Sequence, residues 1–125
     1  MPITQLVLYQ DDSGEAPLRD WFERLVPKAR AKCQARLELL AQLGHELRRP
    51  VADYLRGDIY ELRAKHLNVN YRMLYFFHGR TVVVVSHGFD KQEARVPDRE
   101  IDLAIRRKGA FEADPVKHTF EDSLS

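Results

Sequence analysis

At 125 residues, 44% hydrophobic and 31% charged, the chain has the size of one domain with its own hydrophobic core, and its single cysteine, Cys33, excludes an internal disulfide or a cysteine-rich metal site. No apolar run approaches the ~18–20 residues of a membrane span, and the first residues lack the basic and apolar regions of a secretory signal, so a cytoplasmic protein is expected. The net charge of +1 divides unevenly: residues 112–125 carry a net −3 and the remaining residues a net +4, a moderately basic body that suits an anionic partner.

Residues 3–10 are β-branched and aromatic, with Leu6, Val7, Leu8 and Tyr9 in succession, and read as a buried strand. After the turn at 11–14, a helix is predicted over 15–25, with Pro17 in its first turn and Leu18, Trp21, Phe22 and Leu25 as its apolar stripe. Pro27 separates it from a second helix over 28–43, whose inner stripe is Ala29, Cys33, Leu37, Leu40 and Leu43 and which Gly44 ends. The pair forms an αα-hairpin. The basic residues Lys28, Arg30, Lys32 and Arg36 lie on its other faces, as a solvated surface or a contact to RNA. Residues 51–55 read as either a short edge strand or a turn.

Three strands follow, at 58–64, 69–77 and 81–88, and Val82 to Val85 has the continuous β-branched character of a central strand. A last helix runs from 98 to 112, with Ile101, Ala104, Ile105 and Phe111 inward. From 113 the chain reads as an acidic, extended or flexible tail. The expected fold is α+β, in the order β-α-α-β-β-β-α: a domain over 1–112 with an antiparallel sheet and the αα-hairpin on one face.

Turn spacing predicts how the three strands align. A symmetric turn at 65–70 places Arg63 opposite Arg72. A two-residue loop at Gly79-Arg80, with glycine supplying the positive φ, places Arg72 opposite His87. Directly opposed residues share a face. Arg63, Arg72 and His87 are therefore expected side by side on the less covered face. Two guanidiniums and an imidazole so placed call for an anion among them, with RNA the first candidate. Arginine's fork suits a phosphate, and histidine can act as acid or base near neutral pH. Cationic neighbours are expected to push the His87 pKa down and favour its neutral form. His45, His66, His78 and His118 show no metal-ligand spacing, so no metal is expected.

Four segments carry a family resemblance: Gly57-Asp58-Ile59-Tyr60-Glu61-Leu62-Arg63, Tyr71-Arg72-Met73-Leu74-Tyr75-Phe76-Phe77, His87-Gly88-Phe89-Asp90-Lys91 and Pro97-Asp98-Arg99-Glu100-Ile101. In this order after an αα-hairpin, the chain resembles toxins of the RelE/ParE superfamily of type II toxin–antitoxin systems, in the HigB-like, phage Gp49-related branch, over residues 3–112. The resemblance implies a ribosome-dependent messenger-RNA endonuclease that needs no metal or organic cofactor, held inactive by a helix-turn-helix antitoxin. It implies roles for Arg63, Arg72 and Lys91, with Arg95 as the runner-up to Lys91; together with His87 from the strand alignment, Arg63, Arg72 and Lys91 are the expected catalytic residues, and Glu61, Lys65 and Arg95 are expected in contact with RNA. Glu61 stands where the RelE-like nucleases carry a basic residue, which leaves it as a base or as a partner for Arg63. The alternatives are a ParE-like inhibitor of DNA gyrase or an inactive binding domain of the same fold.

Overall fold

The computed structural model describes residues 4–91 and 94–121. Five strands, β1 (Gln5–Leu8), β2 (Ala52–Arg56), β3 (Ile59–His66), β4 (Val69–His78) and β5 (Val82–Lys91), and three helices, α1 (Pro17–Arg24), α2 (Pro27–Leu43) and α3 (Asp98–Ala113), make an α+β domain. The strands lie in the order β1-β5-β4-β3-β2. The segment at 51–55 is thus an edge strand. The sheet departs from the expected antiparallel one in one place: β1 runs parallel to β5, Gln5 beside Val82 and Leu8 beside Val85. The αα-hairpin and β2, β3 and β4 all lie between them in sequence, far more chain than the crossover a parallel pair requires.

Both faces of the sheet are covered. On one, Leu18, Trp21 and Phe22 of α1 and Cys33, Leu37 and Leu40 of α2 pack against Leu62, Met73, Tyr75, Val83 and Val85. On the other, Ile101, Ala104 and Phe111 of α3 close over Ile59, Leu74, Phe76 and Val84. A sheet buried on both faces shows little clean alternation, which is why β4 and the start of β5 read as near-continuous apolar runs. The covering by α3 is partial. It spans the end of the sheet near Phe76 and Val84 and leaves Arg63 and Arg72 partly open.

The register is the decisive detail. Arg63 faces Arg72, as expected. The next hairpin differs twice. Its loop holds three residues, since His78 pairs with Val82, although Gly79 does take a positive φ of 64°. Then Leu74 pairs with His87 while Tyr75 pairs with Val85, so Ser86 is a bulge. Each departure shifts β5 by one residue, and a shift of one exchanges faces. The two cancel, so His87 keeps the expected face but lies two residues along from the expected place. Arg72 faces Phe89 instead.

Beyond α3 the chain turns back along β1. Thr119 bridges to Tyr9, Phe120 N–H donates to the Leu8 carbonyl, and Gln10 N–H donates to that of His118. The His118 ring stacks on Tyr9 at 5.2 Å, and Phe120 packs into the core on the hairpin side.

Candidate nucleic-acid interface

Glu61 is the centre of the site. It lies on β3 on the α3 side of the sheet and is 2% exposed. Arg63, two residues along the same face, donates to its Oε1 from Nε (2.9 Å) and Nη2 (2.7 Å). Arg72, on β4, brings its Nε to 3.0 Å from Oε2. That N–H is not aimed at the oxygen, and both atoms are buried, so this contact is one of charge rather than a directed hydrogen bond. A single carboxylate therefore gathers two guanidiniums and leaves the group with a net positive charge. Without it the two arginines, opposed across the hairpin, would repel.

The arginines differ in what they leave free. The Arg63 side chain is 31% exposed and also donates to the Pro50 carbonyl (3.3 Å) and to Asp53 Oδ2 (3.3 Å). The Arg72 side chain is 13% exposed. Burial lowers the pKa of its guanidinium; Glu61 opposes this and Arg63 adds to it. Asp53 lies under the same influence. Burial works to raise its pKa, but a hydrogen bond and charge from Arg49, the Tyr54 N–H and the charge of Arg63 together hold it below the ordinary value.

These side chains open into a cleft of about 220 Å³ at the start of β2, lined by Arg36, Pro50, Val51, Arg63, Lys65 and Arg72, with Ala64 and Asn70. Four cationic side chains converge on it. Among the described residues neither Arg36 nor Lys65 has an acidic partner. The sequence offers Arg36, with the other basic residues of the second helix, as either a solvated surface or a contact to RNA. Its signal in the sequence is position: it directly precedes Leu37 of the inner stripe, so it sits at the flank where α2 meets the sheet.

Other expected residues lie elsewhere. His87 is buried beneath α3. Ser86 Oγ lies 2.8 Å from its Nδ1, and Glu100 Oε1 lies 3.0 Å from its Nε2. Arg107 donates to the Ser86 carbonyl (3.3 Å) and hydroxyl (3.4 Å). One arrangement satisfies every partner: the Ser86 hydroxyl donates to Nδ1, and Nε2–H donates to Glu100. Burial first, and then the Arg107 charge, lower the His87 pKa, with Glu100 opposing. The direction is the expected one, but the cause is burial and Arg107 rather than the arginines of the cleft. His87 tethers α3 to β5 and is separated from Arg72 along the strand by Phe89. Arg95 also stands apart. Its side chain is 81% exposed and paired with Asp98 at 3.1 Å, and it lines a different cleft of about 190 Å³ with Arg56 and Val96. Lys91 ends β5 with its backbone opposite Asn70, two places from Phe89; its side chain lies outside the described residues.

No group of three or more His, Cys, Asp or Glu side chains among the described residues is placed to hold a metal ion. No described helix is long and apolar enough to cross a membrane. A family model described as phage-derived protein Gp49-like matches residues 20–109. That span begins within α1 and includes α2, the hairpin strands, the whole basic cleft and most of α3. No curated protein matches the chain.

Proposed function

The chain belongs to the phage-derived Gp49-like family, part of the RelE/ParE-like toxin superfamily, and on that premise we propose that it is a toxin that cleaves messenger RNA on the ribosome. The observation that carries this reading is the convergence of Arg36, Arg63, Lys65 and Arg72 on one cleft, with Glu61 buried beneath two of them. A gyrase-binding toxin has no need of a cleft lined by four cationic side chains.

In this reading the scissile phosphate sits over Arg63 and Arg72. The Arg72 Nη groups, with the one Arg63 N–H not committed to Glu61, Asp53 or Pro50, meet its oxygens as negative charge builds in the transition state. Glu61 acts as a positioning residue: its carboxylate fixes Arg63 by two directed hydrogen bonds and holds Arg72 close by charge before RNA arrives. Lys65 and Arg36 hold the flanking phosphates. Lys91, at the end of β5, is assigned to the leaving 5′-oxygen. His87 acts at a distance by fixing α3. A helix-turn-helix antitoxin, encoded beside this chain, holds the toxin inactive and is expected to co-purify with it.

The test is primer extension on translated messages after induction. Cuts placed in register with codons are expected. Arg72→Ala should reduce cleavage by a factor of about 10²–10³, the scale for losing a transition-state donor, without loss of the folded state. DNA double-strand breaks with intact messages would replace this reading with the gyrase one. Full cleavage by a folded Arg72→Ala protein would remove the cleft from the mechanism.

A further inference from the structure

A second cavity begins where the basic cleft ends. Pro50 and Val51 line the cleft; Arg49 and Asp53, on either side of them, line a space of about 580 Å³ together with His45, Arg48, Tyr54 and Tyr60. Its volume falls within the ~300–1,000 Å³ range of small-molecule sites. Nothing in the proposed cleavage chemistry uses it.

Its wall is a ladder of rings running from the core to the surface. His45 stacks on Phe77 at 3.6 Å between centroids, and Phe77 meets Tyr60 edge-on at 5.4 Å. Tyr60 stacks on the buried Tyr75 at 5.4 Å. Tyr54 meets Tyr60 edge-on at 5.2 Å and is itself 50% exposed. The ladder thus ends on an open ring. That ring is held in place, because the Tyr54 hydroxyl accepts a hydrogen bond from Asp58 N–H at 3.2 Å. What Tyr54 offers a ligand is therefore an aromatic surface rather than a free hydroxyl.

The charges at this wall suit a nucleotide. Arg48 and Arg49 supply cations. Asp53, the one carboxylate among the described residues that line the cavity, is already occupied: Oδ1 accepts from Tyr54 N–H (3.0 Å) and pairs with Arg49 (3.1 Å), and Oδ2 accepts from Arg63 (3.3 Å). Asp53 therefore does not oppose a phosphate, and it joins an arginine of this cavity to an arginine of the cleft.

Resting on the reading of the cleft as an RNA site, we infer that this cavity is a subsite for a nucleobase of the same RNA strand, with Tyr54 as its stacking platform and Arg48 and Arg49 beside its phosphate. Stacking uses the π-face that every base has, so the subsite selects a base over no base more strongly than one base over another. A purine, with the wider face, should be preferred.

A cleavage-resistant probe separates this inference from the nuclease reading. Binding of 2′-O-methyl triadenylate is compared with binding of three analogues, each abasic at one position, by calorimetric titration of the intact chain. One abasic analogue should bind about 10-fold or more weakly, within the range that loss of a stacked base allows. Tyr54→Ala should remove that difference, whereas Tyr54→Phe, which keeps the ring, should preserve it. Equal binding of all four probes by the wild-type chain would overturn the subsite. So would equal loss in Tyr54→Ala and Tyr54→Phe, which would mean that the hydroxyl contact to the turn is all that matters. A Tyr54→Ala chain that binds every probe normally but no longer retains its antitoxin would assign the cavity to a protein and overturn the inference as well. Base-dependent binding in a chain that cuts no message would keep the subsite and remove the nuclease. Arg72-dependent cutting by a chain indifferent to the missing base would do the reverse.

Discussion

Glu61 shows how much one residue's environment changes its meaning. In the sequence it is an acid where a base belongs. In the structure it is the counter-ion that lets two arginines share a face. Glu61→Gln keeps the shape and removes the charge, leaving two guanidiniums opposed across the hairpin. Breaking a buried pair costs about 3–5 kcal/mol, and the partial exposure of Arg63 lowers this, so a loss of about 2 kcal/mol in unfolding free energy is expected. A shift in the denaturant midpoint at unchanged slope would measure it. Cleavage should fall too, since the arginines lose their alignment. His87 makes a second prediction. Its pKa is lowered from 6.5 in the folded chain, so below that value the unfolded chain binds more protons than the folded one. Its contribution to stability is therefore complete above about 6.5 and is lost as pH falls from there toward the lower folded value. His87→Gln should flatten stability against pH below about 6.5, measured by denaturant titration at each pH. An unchanged slope would mean that another group carries it.

At the scale of elements, the sequence motif His87-Gly88-Phe89 resolves into three separate jobs. His87 ties α3, Phe89 faces Arg72, and Gly88 lies under the indole of Trp21 on α1, where a Cβ would come within 2.3 Å of the ring. Gly88→Ala must displace a large ring that itself packs on Tyr71 at 6.0 Å. The expected cost is about 1–3 kcal/mol, the usual range for overpacking a core. A melting curve for the variant, with Trp21 fluorescence as a second probe, would show the loss and the ring's new surroundings together. The elements themselves were largely legible: α2 is bounded by Pro27 and Gly44, and β3 and β4 by a polar turn that gave the pairing of Arg63 with Arg72. Four things were not. The three-residue loop at 79–81 reads as a two-residue one, because a positive φ at Gly79 fits both. The bulge at Ser86 bears no glycine to mark it, because its support comes from Arg107, twenty-one residues away. The parallel pairing of β1 depends on a partner far along the chain, which local periodicity cannot reveal. The burial of His87 depends on where α3 lands, and its inward residues indicate a covered face without indicating which part of it.

For the molecule as a whole, the return of the chain along β1 matters more than its acidic composition suggests. β1 is an edge strand, and residues 118–120 close part of its open side. Removing residues 115–125 should take away the stacking of His118 on Tyr9 and the burial of Phe120, at a cost of about 2–3 kcal/mol. It should also expose a strand edge able to pair with another copy. Size-exclusion chromatography across a concentration series would detect that association, and a truncated chain that stays monomeric and fully stable would refute the role. The two departures in the hairpin between β4 and β5 have a wider consequence. Facing in a strand is a two-valued property, so the extra loop residue and the bulge act like two flips of one bit, and the message at Phe89 reads as though neither had occurred. Insertions near this hairpin are therefore tolerable only in compensating pairs. A lone one would turn Phe89 toward the αα-hairpin, set Gly88 opposite Arg72 and leave Trp21 over a side chain, scrambling the core and the basic cleft in a single step.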